Sequence, residues 1–142
     1  MTDRSKVHLS ILIPCKNEEL NLDRCLSSVY WASEIFVVDS NSTDQTHIIA
    51  NEHNAKVIQF NYKGGWPKKK NWALENLPFS NEWVLILDAD ESLPPESENE
   101  IRRLVERPDE THSGYWINRR YFFLGKPLKY AYFPNWNLRL FK

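Results

Sequence analysis

This sequence has few cysteines, no long apolar run and almost no net charge, and each of these features excludes a class of protein. The only two cysteines, Cys15 and Cys25, lack the spacing of metal ligands, and the four histidines do not cluster with them. A disulfide scaffold and a zinc site are therefore not expected. No apolar run is long enough to span a bilayer. A net charge of −1 does not favour a nucleic-acid partner, and the free thiols indicate a reducing, cytoplasmic compartment.

The remaining sequence alternates apolar runs with amphipathic segments over 142 residues, a one-domain length. Strands are predicted at residues 7–14, 35–38, 56–60 and 83–87. Helices are predicted to begin at Asn17 or Glu18, at about Thr43, at Pro67 and at Pro94. This order predicts an α/β fold, in which a mostly parallel sheet carries helices on both faces. The aromatic segment after residue 108 predicts two or three partly antiparallel strands beside that sheet.

The apolar run at 83–87 leads directly into Asp88-Ala89-Asp90. A buried parallel strand of this kind ends in the crevice where α/β sheets bind ligands. Two carboxylates at positions i and i+2 offer hard oxygen ligands to Mg²⁺ or Mn²⁺, which usually bind through carboxylates together with substrate phosphates. On these residues alone, an acidic, solvated turn is an equally good interpretation.

A second apolar run, at 35–38, ends in Asp39 and continues into a polar loop. In that loop, Ser42 and Gln45 fit a capping box, and Asp44 fits the first turn of a helix. Asp39 has no evident role in folding at its strand tip. It could accept hydrogen bonds from a base or a ribose hydroxyl, as acidic residues do in other nucleotide-binding sheets.

Four segments together resemble family 2 glycosyltransferases. They are the opening strand and turn through Pro14-Cys15-Lys16-Asn17-Glu18, the strand and loop at 34–46, the loop and helix beginning at Trp66-Pro67, and Asp88-Ala89-Asp90. Their order and spacing agree with the family over roughly residues 7–100, which is specific although each segment alone is weak. The tail, with Asn118-Arg119-Arg120 and Leu138-Arg139-Leu140-Phe141, is similar to a bacterial branch that includes lipopolysaccharide core glucosyltransferases.

This resemblance implies a GT-A fold in a single domain spanning 1–142. A Rossmann-like, nucleotide-sugar-binding half would cover 7–107, and 108–142 would begin an incomplete acceptor half. The resemblance also implies inverting transfer of a sugar from a nucleotide-diphosphate donor, often UDP-linked, to a glycan or lipid-linked acceptor in cell-envelope biosynthesis. Such an enzyme would work in the cytoplasm, with peripheral association at the inner face of the membrane as one option.

Carried over to this chain, the resemblance assigns several residues to the nucleotide. Pro14 and Asn17 would line the nucleotide cleft, and Asp39 would hold the base. Glu18 or Glu19 would meet the base or ribose, but both could equally be first-turn charges on a helix.

The same resemblance assigns the metal and diphosphate contacts. Asp88 would approach the ribose or a metal-bound water, and Asp90 would bind the divalent ion, Mn²⁺ or Mg²⁺. That ion would neutralise charge on the departing diphosphate. Lys70 belongs to a lysine run at 68–70, which could steer a diphosphate or form a solvated face.

Inverting transfer also needs a general base to take the proton of the acceptor hydroxyl. In this family that carboxylate lies downstream of the two aspartates, in the acceptor half. The nearby carboxylates are too close to the motif or lack a supporting pattern: Glu91, Glu96, Glu98, Asp109 and Glu110. We therefore expect the base to lie beyond Lys142 and this chain to transfer sugar poorly.

The sequence stops inside an apolar strand pattern that contains Leu138, Leu140 and Phe141. This pattern predicts a truncated domain with an unpaired apolar sheet edge, which is a template for self-association.

Two other functions stay open. A phosphohydrolase of the haloacid-dehalogenase type also ends a strand in Asp-x-Asp, but that strand is normally the first, whereas Asp88 follows the fourth. A non-catalytic nucleotide-binding or assembly module also fits an incomplete domain.

Overall fold

The computed structural model describes residues 5–61, 63–107, 111–123, 125–127 and 135–142. The elements in chain order are β1 (Val7–Cys15), α1 (Leu22–Ser27), β2 (Ala32–Asp39), α2 (Thr46–Glu52), β3 (Lys56–Gln59), α3 (Lys69–Asn76), β4 (Val84–Ile86), α4 (Pro95–Glu106), β5 (Gly114–Asn118), β6 (Phe122–Phe123), β7 (Lys126–Pro127) and β8 (Trp136–Phe141). None of the helices in these residues is long and apolar enough to cross a membrane.

One sheet organises the described chain, with strand order β3-β2-β1-β4-β8-β5, and β6 and β7 form a separate small hairpin. The strands β3, β2, β1 and β4 run parallel, while β8 is antiparallel to both β4 and β5. The predicted α/β fold with a mostly parallel sheet is therefore confirmed. The predicted antiparallel strands of the aromatic tail are also present: β8 and β5 extend the sheet beyond β4, while β6 and β7 pair separately from it.

Apolar residues cover both faces of the sheet, as continuous apolar strands require. On one face, Leu9, Ile11 and Ile13 of β1 pack with the buried residues of α1, α2 and α4. On the other face, Leu12 packs with Ala73 of α3. Complete burial of side chains of this size contributes about 1.5–3 kcal/mol each, so this two-sided core holds the strand ends in fixed positions.

The helices α3 and α4 begin within two residues of their predicted starts, at Lys69 and Pro95, but two helices begin three or more residues later than the sequence pattern predicts. The helix expected from Asn17 or Glu18 begins at Leu22, because Asn17 has a positive φ of 52°, which a right-handed helix does not allow. The helix expected from about Thr43 begins at Thr46. In both places polar residues form loops at the carboxyl end of the sheet.

The prediction of an unpaired edge at the end of the chain is wrong. The strand β8 is internal, since Leu140 is opposite Leu85 of β4 and also opposite Tyr115 of β5. Leu140 is buried, and only Leu138 of the three apolar residues named above is largely exposed. Self-association through the backbone of β8 is therefore not expected.

Candidate functional site

The carboxyl ends of β1, β2 and β4 meet at one edge of the sheet. Cys15 and Asp39, the final residues of β1 and β2, are register partners. Just after β4, the N–H of Leu87 donates to the carbonyl of Leu12 at 3.0 Å. The sheet grows from β1 toward β2 and β3 on one side and toward β4 on the other. This reversal is the point where α/β sheets bind ligands, and both predicted aspartate sites border it.

Asp39 is almost completely buried, with 1% of its surface exposed. Its carboxylate accepts hydrogen bonds from the backbone N–H of Ser42, at 3.0 Å, and from the Ser42 hydroxyl. Burial would raise the pKa of Asp39, but these hydrogen bonds outweigh burial and lower the pKa below its usual value. The expectation that Asp39 has no role in folding is therefore wrong, because its side chain closes the turn after β2.

The capping box predicted for Ser42 and Gln45 is also wrong. The helix begins at Thr46, and Asp44 accepts hydrogen bonds from the backbone N–H of Thr46, at 3.0 Å, and from its hydroxyl. The N–H of Gln45 donates instead to the carboxylate of Glu19 at 3.1 Å. Asp44 therefore lies just before the helix and not in its first turn as predicted, and the N-cap residue is Gln45, whose side chain makes no capping hydrogen bond.

The loops after β1 and β2 are joined by reciprocal hydrogen bonds. The backbone N–H of Asn17 donates to Ser42 Oγ at 2.8 Å, and Asn17 Oδ1 accepts from the N–H of Thr43 at 2.8 Å. The N–H of Glu18 donates to Thr46 Oγ1 at 2.9 Å. Asn17 and Glu18 therefore position the cleft wall, and their contacts with a nucleotide stay predictions.

Pro14 lies within β1, opposite Val38, so the strand continues one residue beyond the proline that was expected to stop it. Its partly exposed ring lies one residue before the end of the strand. A ligand contact at Pro14 also stays a prediction.

Three carboxylates cluster after β4. Oxygen atoms of Asp88, Asp90 and Glu91 lie within 4.8 Å of one another. Asp90 is exposed, and its backbone carbonyl accepts a hydrogen bond from Arg24 at 3.2 Å. A set of carboxylate oxygens fits Mg²⁺ or Mn²⁺ and does not fit softer metals. The residues present therefore fit the ion that the resemblance implies.

Basic side chains surround this carboxylate cluster. Lys70 Nζ lies 2.7 Å from Asp88 Oδ1, and Arg139 Nη2 lies 3.2 Å from Asp88 Oδ2. Burial would raise the pKa of Asp88, but Lys70 and Arg139 outweigh burial and lower it to about 2. Glu91 lies 3.5 Å from Arg139 and 3.2 Å from Arg119, yet burial raises its pKa. Because the pKa of Asp88 is lowered in this way, Asp88 is an anion at neutral pH.

The topology brings these basic residues to the cluster. Lys70 lies in the first turn of α3, and the antiparallel pairing of β8 with β4 carries Arg139 to the Ile86 carbonyl, 3.5 Å from Arg139 Nη1. Beside them, Lys69 Nζ donates to the Cys15 carbonyl at 2.7 Å, and burial lowers the pKa of Lys69. The sequence interpretation gave no role to Arg139 or Arg119 and considered Lys69 only as part of the lysine run at 68–70.

A cavity of about 260 Å³ adjoins the cluster. Its lining residues are Lys70, Ile86, Trp116, Asn137, Leu138 and Arg139. The walls are therefore partly apolar and partly basic.

The candidates for a general base are dispersed. Glu91 belongs to the carboxylate cluster, and Glu98 pairs with Arg102 on α4. Glu96 lies in the first turn of α4, while Asp109 and Glu110 lie outside the described residues. None of the described ones combines a free carboxylate with a position in the cleft.

The chain is similar to several known proteins. The chain matches the family model described as "Glycosyl transferase family 2" over residues 10–141. It is 34% identical over 133 residues to the lipopolysaccharide core biosynthesis glycosyltransferase LpsC of Rhizobium meliloti (strain 1021), covering 91% of this chain and 47% of LpsC. It is 42% identical over 94 residues to an uncharacterized glycosyltransferase of Rickettsia bellii (strain RML369-C), covering 66% of this chain and 31% of that protein. The chain thus spans less than half the length of these relatives.

Solved structures share the fold. The crystal structure of S. aureus TarS 1–349 aligns with a TM-score of 0.57 and 29% identity, over 69% of this chain and 32% of TarS. The mannosyltransferase PcManGT from Pyrobaculum calidifontis, in complex with GDP-Man and Mn²⁺, aligns with a TM-score of 0.58 and 23% identity, over 80% of this chain and 36% of PcManGT.

Proposed function

The chain belongs to glycosyltransferase family 2, and from that premise we propose that it provides the donor site of an inverting sugar transferase. The donor is a nucleotide-diphosphate sugar with UDP as its nucleotide. The observation that carries this proposal is the cluster of Asp88, Asp90 and Glu91 beside the switch point of the sheet. Membership of the family removes the support for the phosphohydrolase alternative.

The described residues divide the work of holding a donor. A divalent ion bound there would supply Lewis-acid neutralisation of the leaving diphosphate. Asp90, the exposed member of the cluster, would hold that ion, and Asp88 would orient the ribose or a metal-bound water. Lys70 places a positive charge next to the ion site, and Asp39 offers a buried carboxylate to the base.

We also propose an acceptor, a position for the general base and a cellular location. The name of LpsC supports a glycan or lipid-linked glycan of the cell envelope as the acceptor. We place the general base outside the described carboxylates, because Glu91 is held by Arg119 and Arg139. The buried, unpaired thiols of Cys15 and Cys25 support a reducing, cytoplasmic location.

Calorimetric titration of UDP and GDP, with and without Mn²⁺, tests the donor site. We expect Mn²⁺ to tighten binding of UDP about tenfold or more, a usual size for coupling between ligands. Asp90→Ala should abolish that tightening without changing the melting temperature. Glu96→Ala, which removes an exposed carboxylate on α4, is the matched control and should keep it. Unchanged Mn²⁺ dependence in Asp90→Ala would refute the metal role, and a folded wild-type chain that binds neither nucleotide would refute the donor site.

A further inference from the structure

Arg139 bridges two members of the carboxylate cluster. Its guanidinium group contacts Asp88 at 3.2 Å and Glu91 at 3.5 Å, while Lys70 holds the other oxygen of Asp88 at 2.7 Å. Arg119 contacts Glu91 from the other side at 3.2 Å. Asp88 and Glu91 are thus paired with three side-chain cations of the chain itself, while the carboxylate of Asp90 is exposed.

Arg139 cannot simply leave these partners for water. Its side chain is 10% exposed, and a buried charge that loses its partner carries a large desolvation cost. Among the described residues, the other oxygen within reach of its guanidinium is the carbonyl of Ile86, at the limit of 3.5 Å. Any ligand that takes the oxygens of Asp88 and Glu91 must therefore offer Arg139 a new acceptor.

A metal ion and a diphosphate satisfy this requirement only together. The ion alone competes with Arg139 and Lys70 for the same oxygens and gives both cations nothing in return. A diphosphate alone can take the guanidinium only by leaving Asp88 and Glu91 without this partner, and these carboxylates would then repel it. When both are present, the ion takes carboxylate oxygens, and the phosphate oxygens accept hydrogen bonds from the guanidinium fork, whose geometry suits them.

We propose that Arg139 is a positioning residue that exchanges the carboxylates for the diphosphate when metal and donor bind, so that the two ligands bind cooperatively. This inference rests on the proposed donor site. It adds the reason why neither ligand binds well alone and identifies a strand of the predicted acceptor half as the source of the coupling.

The test measures four affinities by calorimetry: Mn²⁺ alone, UDP alone, Mn²⁺ with UDP present, and UDP with Mn²⁺ present. In the wild type, each ligand should strengthen the other about tenfold or more. In Arg139→Gln, Mn²⁺ alone should bind more tightly, because a competitor is gone. UDP with Mn²⁺ should bind more weakly, and the coupling should fall below about threefold. A merely structural role for Arg139 would weaken both ligands.

Two further variants make the result decisive. Arg103→Gln removes an arginine that pairs with Glu100 on the exposed side of α4 and should leave all four affinities unchanged. Arg139→Lys keeps the positive charge but loses the paired N–H donors of the guanidinium group, so it should reduce the coupling between metal and nucleotide. It replaces Arg139→Gln in the test if Arg139→Gln does not show a cooperative unfolding transition. If the folded variants Arg139→Gln and Arg139→Lys couple Mn²⁺ and UDP binding as strongly as the wild type, this inference is refuted, although the proposed donor site is not. If the folded wild type binds no nucleotide, the proposed donor site is refuted. The difference in affinity for Mn²⁺ alone between the wild type and Arg139→Gln then still shows whether Arg139 competes with the metal for the carboxylates.

Discussion

Replacement of Asp39 by alanine should destabilise the free protein before any ligand is considered. The change removes the acceptor of two hydrogen bonds from Ser42 in a site that is 1% exposed. A hydrogen bond to a charged group contributes about 1.5–3 kcal/mol. Because both donors belong to one half-buried residue that water can reach, we expect a total loss of about 3 kcal/mol in the free energy of unfolding rather than the full sum. For a chain of this length, that loss lowers the melting temperature by about 10 °C.

Urea and thermal unfolding at neutral pH measure this loss. Asp39→Asn is the matched variant, since it keeps the size and one acceptor oxygen, and it should lose about half as much. A double-mutant cycle with Ser42→Ala should give a coupling of about 1–2 kcal/mol between the two positions. A melting temperature within about 2 °C of the wild type, together with zero coupling, would refute the structural role and leave Asp39 as a residue for ligand alone.

Two more predictions follow from buried groups. Glu34 lies in a polar network with Ser10, Lys56 and Ser80, whose hydrogen bonds outweigh burial and lower its pKa to about 2. Since this pKa lies below the unfolded value, Glu34 should contribute about 3 kcal/mol at neutral pH. That contribution should vanish as the pH falls from about 5 to 2, and Glu34→Gln should flatten this part of the profile in urea unfolding. Burial raises the pKa of Cys15 and of Cys25 to about 12, so both thiols should react with a chromogenic disulfide only after unfolding. Rapid reaction of the native protein would contradict their burial.

The alternation of strands with helices and the pair of aspartates after the fourth strand were predictable because both depend on local patterns. Each apolar run predicts a buried strand, and the carboxyl ends of parallel strands lie at one edge. The positions of Asp39 and Asp88 at that edge followed directly.

The interlocked loops and the role of Arg139 were not predictable in this way. The sequence pattern predicts a helix start at Asn17. Its left-handed backbone is explained by hydrogen bonds to Ser42 and Thr43, which lie 25 and 26 positions away in the sequence. Arg139 meets Asp88 across 51 positions, through an antiparallel strand inserted between β4 and β5. Periodicity reports which face of a strand is buried but not which strand becomes its neighbour.

The insertion of β8 between β4 and β5 also constrains the order in which the chain can fold as it leaves the ribosome. The strands β1 to β4 can pair as soon as they emerge, because their partners precede them in the sequence. The strand β5 emerges before β8 but has no place in the sheet until β8 has paired with β4. During that interval β4 presents an open edge, the kind of surface that misassembles. Pairing of β8 with β4 and delivery of Arg139 to the carboxylates are therefore one event, which follows the pairing of β1 to β4.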